Sequence, residues 1–95
     1  ALAWQPTAAP APAPAEVPVQ VFPNPTDGPL FFLWPEHAGV QRIRLFDAAG
    51  REVRRVVPAP GSHAAELHLP KGSGIWFYTV EGTHWLRRGK VVQVR

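Results

Sequence analysis

From residue 17 to the end of the chain, short runs of hydrophobic residues recur, and several of them alternate strictly with polar positions. These runs predict seven β-strands, at residues 17–22, 29–34, 40–47, 51–57, 63–69, 75–81 and 84–94. Segments rich in Pro, Gly, Asn and Asp separate them at regular intervals. Because no stretch shows a sustained helical period, we expect an all-β fold, an immunoglobulin-like seven-stranded antiparallel β-sandwich.

The alternation also assigns faces to individual strands. Ile43 and Leu45 share one face of the third run, and we expect that face to point inward. The sixth run is apolar on both faces, which is typical of a central strand; its two sets are Trp76, Tyr78 and Val80, and Ile75, Phe77 and Thr79. Between the third and fourth runs, residues 47–50 (Asp-Ala-Ala-Gly) predict a type I turn.

The first 16 residues have a different composition from the rest. Proline alternates with alanine at positions 10, 12 and 14, which excludes a helix or an internal strand. We therefore predict a Pro/Ala-rich linker over residues 1–16 with polyproline II character, followed by one domain over 17–95. The chain starts at Ala1 without a recognisable signal peptide, so we expect it to be part of a longer protein. No apolar run is long enough to predict a transmembrane segment.

Charge and cysteine content narrow the possible functions. The chain has 95 residues, no cysteine and a net charge of +3, so it has neither disulfides nor a thiolate metal site. All ten Lys and Arg residues fall within 41–95, which carries four acidic residues, whereas residues 1–40 carry three acidic residues. Such a basic half permits an acidic or nucleic-acid partner without requiring one.

Catalytic motifs are not recognisable. The serines, Ser62 and Ser73, lie in turn segments outside any nucleophile motif, and no glycine-rich phosphate loop precedes a helix. The four histidines do not have metal-ligand spacing; they are His37, His63, His68 and His84. We therefore predict a protein that is not an enzyme and has no cofactor and no metal.

Basic residues are the remaining chemical feature. Arg42, Arg44 and Phe46 share one strand face, which resembles a surface for nucleic acid. A solvated outer sheet face explains the same pattern more simply, and we predict no nucleic-acid partner. Arg87, Arg88 and Lys90 on the last run are typical of charges that protect an edge strand against aggregation.

Four segments, in order, resemble one known family. Pro23-Asn24-Pro25 resembles the opening "YPNP" of the type IX secretion C-terminal sorting domain, or Por secretion tail. Residues 43–53, containing Asp47 and Gly50, resemble its central "D-x-x-G-[RK]" motif, and residues 69–80, containing Gly74, resemble "L-x-x-G-x-Y-x-x-x-V" with Trp76 in place of tyrosine. Residues 89–95 resemble the ending "K-[VIL]-V-x-x-[KR]".

The resemblance implies a role in protein transport in a Bacteroidota-type bacterium. In that family, the domain ends a secreted cargo protein and directs it from the periplasm through the outer-membrane type IX translocon. A sortase-like C-terminal signal peptidase then removes the domain, and the cargo is released or anchored at the cell surface. The implied partners are therefore translocon components, this peptidase and an upstream cargo domain.

Site residues follow from the same resemblance. Those carried over to translocon recognition are Lys90, Val91, Val92, Val94 and Arg95. Residues 5–16 would contain the cleavage region. The remaining motif residues are interpreted as turn formers and strand starts: Pro23, Asn24, Pro25, Asp47, Gly50 and Gly74. From the residues alone, a terminal strand can also offer free backbone groups to a partner sheet.

Besides nucleic-acid binding, which is the least favoured, two other classes of function remain open at the sequence level. One is a carbohydrate-binding or adhesive module in which Trp34, Trp76 and Trp85 form a stacking platform for sugars. The other is an immunoglobulin-like scaffold of the FlgD type, which shares the Asp-x-x-Gly hairpin and would not be cleaved.

Overall fold

The computed structural model describes residues 17–94. The predicted linker, its cleavage region and Arg95 lie outside the described residues. All seven predicted strands are present, and a short 3-10 turn follows the second strand at Glu36–Ala38. The strands are β1 Gln20–Phe22, β2 Pro29–Leu33, β3 Val40–Phe46, β4 Glu52–Val56, β5 Ala64–His68, β6 Gly74–Gly82 and β7 Leu86–Gln93.

The strands form two antiparallel sheets, which confirms the predicted immunoglobulin-like sandwich. One sheet has the order β1-β2-β5 and the other the order β4-β3-β6-β7. As expected, β6 is an internal strand, paired with β3 on one side and with β7 on the other. β7 lies at an edge of the four-stranded sheet.

The core lies between the inner faces of the two sheets. Phe32 of β2 meets Tyr78 of β6 edge to face, with 5.4 Å between ring centroids, which joins the sheets at the centre. Ile43 and Leu45 are fully buried, as the alternation predicts. The other buried apolar residues are Leu30, Trp34, Ala38, Leu67, Leu69, Val80 and Val91.

The β3–β4 hairpin is closed by the predicted turn. The Gly50 N–H donates to the Asp47 carbonyl at 2.9 Å, and Asp47 Oδ1 accepts from the backbone N–H groups of Ala49 and Arg51. Gly50 has φ +90°, which favours glycine. The hydrogen bond from the Arg51 backbone is the main reason that the pKa of Asp47 is lowered. Asp47 and Gly50 are therefore the turn formers that the sequence predicts.

Glycine is also required where an aromatic ring lies against a strand. Tyr78 of β6 stands opposite Gly89 of β7, and its ring occupies the space that a Cβ at Gly89 would need. The tyrosine ring thereby covers a strand position that lacks a side chain. The pairing fixes β7 against the core.

The first strand is shorter than predicted. It begins at Gln20 because β2, its partner, ends at Leu33. The upstream Val17 carbonyl instead accepts a 2.6 Å hydrogen bond from the Arg87 guanidinium. The prediction that Arg87 protects the edge as an outward charge is therefore wrong, because the side chain is half-buried and reaches across to the start of the domain.

Candidate functional site

Alternate residues of β7 direct their backbone N–H and C=O groups toward the open edge of the sheet. The Gly82 N–H donates to the Trp85 carbonyl at 2.8 Å at the turn into β7, and the ladder then pairs Val80 with Arg87 and Tyr78 with Gly89. Odd-numbered residues therefore bond to β6, and even-numbered residues direct their N–H and C=O groups outward. We call these outward groups, from Leu86 to Val94, the β7 edge.

The C-terminal half of the β7 edge is covered by a side chain from the β1–β2 connection. The Asn24 side-chain amide donates from Nδ2 to the Lys90 carbonyl at 3.1 Å. Its Oδ1 accepts from the Val92 N–H at 3.0 Å. The amide thus occupies the positions that a peptide group of a neighbouring strand would take.

Thr26 continues the same line of bonds with its backbone. Its N–H donates to the Val92 carbonyl at 2.9 Å, and its carbonyl accepts from the Val94 N–H at 2.8 Å. This forms a parallel bridge between Thr26 and Gln93. The Thr26 side chain is buried and bonds to the Pro29 carbonyl and the Gly28 N–H, which fixes the segment locally. We call Asn24 and Thr26 together the clamp.

The clamp adds to one expectation and corrects another. Asn24 lies in the bend between β1 and β2, where a turn former is expected, and its side chain also makes hydrogen bonds to β7, across the fold. In addition, the end of the last strand does not present free backbone groups in the folded domain, because the outward groups from the Lys90 carbonyl to the Val94 N–H are bonded to the clamp. Within residues 17–94, the outward groups that the clamp leaves open are those of Leu86 and Arg88, the Lys90 N–H and the Val94 carbonyl.

The predicted recognition residues separate by parity. Lys90, Val92 and Val94 are exposed on the outer face, with Val92 36% and Val94 50% exposed. Val91 is fully buried, so in the folded domain its side chain belongs to the core. Arg95 lies outside the described residues.

An apolar patch on β6 borders these side chains. Ile75 stands opposite Val92 and Phe77 opposite Lys90, and both β6 side chains are more than two-fifths exposed. The end of β7 therefore combines aliphatic side chains with a cation. Such a surface suits a partner that is both apolar and acidic.

β7 is also anchored from the inside of the sandwich. Gln93 is buried, and its Oε1 accepts a 2.9 Å hydrogen bond from the Trp76 indole N–H. Trp76, which stands where the sorting-domain motif has tyrosine, is half-buried against the core. Sequence reasoning did not identify Thr26 or Gln93, because each acts through a hydrogen bond to a distant strand.

The predicted basic face of β3 is an ion-pair network. Glu81 accepts from Arg42 at 2.5 Å and from Arg44 at 2.9 Å, and Glu52 accepts from Arg44 at 3.0 Å and from Arg55 at 2.8 Å. Arg44 also lies over the Phe46 ring, 5.1 Å from its centroid. Two carboxylates thus offset most of the charge of three arginines, which leaves little field for a polyanion.

The same contacts shift the acidities of the two carboxylates. Hydrogen bonds from Arg55 and then Arg44 hold the pKa of Glu52 at about 2. Burial opposes ionisation of Glu81, yet bonds from Arg42, Arg44 and Thr79 outweigh it and lower the pKa. Both groups are therefore ionised at neutral pH.

The three tryptophans of the described chain do not form a sugar platform. Trp34 is only 5% exposed, and its indole N–H donates to the Ser62 carbonyl at 2.8 Å. Trp85 is half-buried and donates to the Ala38 carbonyl at 3.1 Å. Because stacking on a sugar ring needs exposed indole faces in a row, the structure does not favour the carbohydrate-binding alternative.

Within residues 17–94, no group of three or more His, Asp or Glu side chains is arranged to hold a metal ion. The same part of the chain contains no helix with the length and apolarity needed to cross a bilayer.

Comparison with known proteins supports the fold. No protein-family model matches the chain, and no curated protein matches it. Among solved structures, the chain is similar to the sulfur carrier protein SoxY from Chlorobium limicola f thiosulfatophilum, with a TM-score of 0.51 and 14% identity. The similarity covers 81% of this chain and 76% of that chain. At this identity the likeness shows a shared β fold alone.

Proposed function

We propose that this chain is a sorting domain of the type IX secretion class, read by the outer-membrane translocon to export an upstream cargo protein. The observation that carries the proposal is the bonding of Asn24 to Lys90 and Val92. It joins the first and last of the four segments that resemble the family, which lie more than sixty residues apart in the sequence. A shared structural reason for two distant motifs supports treating them as one unit.

The exposed side chains at the end of β7 are the proposed recognition surface. Lys90, Val92 and Val94 project from the outer face, whereas their backbone is held by the clamp. The translocon would therefore read a preformed strand through its side chains. An acidic and apolar receptor groove would complement this surface.

The remaining parts of the proposal follow from the order of the chain. The Pro/Ala-rich linker would carry the bond cut by a sortase-like peptidase, between the cargo and the folded domain. The cargo would cross the periplasm and end at the cell surface or in the medium. In this role the domain is a recognition module, and it contributes no chemistry of its own.

A secretion assay with surface variants tests the proposal. A reporter with its own inner-membrane export signal is fused ahead of the full chain and produced in a bacterium that has a type IX translocon. The triple variant Lys90→Glu, Val92→Ser, Val94→Ser changes only outward side chains and keeps Val91, Gln93 and the clamp. We expect the reporter to stay in the periplasm.

The matched control changes exposed residues at the opposite edge of the same sheet. Arg54→Glu with Val57→Ser alters one cation and one exposed valine beside β4, and we expect secretion at the level of the unmodified fusion. Circular dichroism shows whether each variant is folded. Normal secretion of the folded β7 variant would contradict the proposal.

A further inference from the structure

The N-terminal half of β7 has an open edge. Because hydrogen-bonded and outward positions alternate along β7, Leu86 and Arg88 direct their N–H and C=O groups outward. The N–H of Lys90 also points outward and is open. The clamp begins at the Lys90 carbonyl and leaves these groups without a backbone partner in the described chain. A row of unpaired groups of this kind is a template for another strand.

The other half of the edge shows that this backbone can pair with an added chain. The Asn24 amide and the Thr26 backbone already bond to four successive outward groups at 2.8–3.1 Å. A strand placed beside Leu86–Lys90 would continue the line that the clamp begins. The edge therefore has the geometry for strand addition without rearrangement of the sheet.

The side chains beside the open groups indicate the chemistry of the added strand. Leu86 is 42% exposed, and Arg88 and Lys90 are exposed next to it on the same face. Within residues 17–94, the side chains of Arg88 and Lys90 make no ion pair, in contrast to Arg42, Arg44 and Arg55. Two uncompensated cations, two residues apart, match carboxylates two residues apart on a neighbouring strand.

We propose that the Leu86–Lys90 half of the β7 edge binds an extended acidic peptide by β-augmentation. The bound segment carries Asp or Glu at two alternate positions, beside Arg88 and Lys90, and an apolar residue beside Leu86. Backbone bonds supply most of the affinity and the charge pairs supply the selectivity. This inference goes beyond the export role, because it concerns binding by the isolated chain and does not require a translocon.

The opposite edge of the sheet is a poorer site for the same ligand. β4 is shorter than β7, and its pairing with β3 contains an irregularity between Leu45 and Phe46. Arg55 on this strand is already paired with Glu52. Since a bulge twists an edge away from regular pairing, we assign strand addition to β7.

Fluorescence polarisation with a labelled peptide tests the proposal. The probe is an eight-residue peptide with the order Thr-Val-Thr-Glu-Thr-Glu-Thr-Val, which places two glutamates flanked by valines on one face of the strand. The charge control is the same peptide with lysine in place of glutamate. We expect the full chain to bind the glutamate peptide and not the lysine peptide. Arg88→Glu and Arg88→Pro should each weaken binding at least tenfold, the first by reversing a charge and the second by removing an outward N–H that β6 does not use. Arg54→Glu, which changes an exposed arginine on β4, should bind like the unmodified chain.

Amide hydrogen exchange on the unmodified chain gives a readout that does not depend on the folding of a variant. The glutamate peptide should slow exchange at Arg88 and Lys90 and leave the already bonded Val92 amide unchanged. Unchanged exchange at Arg88 and Lys90 would overturn the proposal. Binding that survives Arg88→Pro but is lost in Phe77→Ser would also overturn it, since the peptide would then lie on the sheet face. A chain that dimerises and excludes the peptide would overturn it as well.

Discussion

Asn24 and Val92 are 68 residues apart in the chain, yet Asn24 Oδ1 accepts a 3.0 Å hydrogen bond from the Val92 N–H. Together with the bond from Asn24 to the Lys90 carbonyl, this contact makes the first loop of the domain part of its last strand. The Asn24 side-chain amide thereby makes the hydrogen bonds that the backbone of a neighbouring strand would make. The end of β7 is held in an extended conformation with its outer side chains displayed.

Removal of the Asn24 amide should loosen the end of β7. We expect Asn24→Ala to lower the free energy of unfolding by about 1–2 kcal/mol, because it leaves the Lys90 carbonyl and the Val92 N–H without this partner. Amide exchange at Val92 should become much faster, whereas exchange at Val91, which bonds to β6, should change little. Urea unfolding and hydrogen exchange by NMR measure the two effects.

Asn24→Asp provides the matched comparison. The carboxylate can still accept from the Val92 N–H but cannot donate to the Lys90 carbonyl. We therefore expect Val92 to keep more protection from exchange than it does in Asn24→Ala. Equal protection of Val92 in the unmodified chain and in Asn24→Ala would show that the clamp does not hold the strand.

The contact between Tyr78 and Gly89 predicts that even a small side chain at position 89 lowers the stability of the domain. Gly89→Ala should destabilise the domain by about 1–3 kcal/mol, since the new Cβ would occupy space that the Tyr78 ring fills. In a Tyr78→Ala background the same substitution should have little further effect. A double-mutant cycle from urea unfolding measures the coupling, and additive effects would contradict the close contact.

The ion-pair network predicts a loss of stability in acid. The pKa of Glu52 is about 2 in the folded domain against an ordinary value of 4.5, so its contribution is complete above pH 4.5 and disappears as the pH falls toward 2. Glu52→Gln removes that contribution. The difference in unfolding free energy between the two proteins should therefore shrink between pH 5 and pH 2. A difference that does not vary with pH would refute the assignment.

The same network predicts weak binding to nucleic acid. Because Arg42 and Arg44 are paired with Glu81, we expect the unmodified chain to bind duplex DNA weakly at low salt. Glu81→Gln should strengthen that binding and steepen its salt dependence, since Arg42 loses its carboxylate partner and Arg44 keeps only Glu52. Gln41→Glu is the control: it is nearly isosteric and adds a negative charge on the same sheet, so it should not strengthen DNA binding. Equal DNA affinity for Glu81→Gln and the unmodified chain would show that pairing does not suppress the basic face.

Much of the fold could be predicted from the sequence, because short strands with one buried face leave a clear alternation. Ile43 and Leu45 are buried and Arg42 and Arg44 lie on the outer face, as the alternation predicts. The Asp47–Gly50 turn was also predictable, since its hydrogen bonds join residues close together in the chain. The start of β1 was not, because it depends on where its partner β2 ends.

The candidate site was less predictable, because its contacts join segments that are far apart in the sequence. The resemblance indicates Lys90–Arg95, and alternation distinguishes inward from outward positions once β7 is known to be an edge. It does not show that Asn24 bonds to Lys90 and Val92, nor that Arg87 bonds to Val17, because both contacts join distant segments. The pairing of Arg42 and Arg44 with Glu81 likewise depends on which strands are neighbours.

If this chain directs a cargo protein through the type IX translocon, as proposed, export of the cargo must depend on both the chain and the translocon. A reporter with an inner-membrane export signal, fused ahead of the full chain, is followed in a translocon-positive strain and in an otherwise identical strain lacking the translocon. We predict that the reporter reaches the cell surface or medium only with the chain attached and the translocon present. A reporter that stays in the periplasm of the translocon-positive strain, or that leaves both strains equally, would contradict the claim.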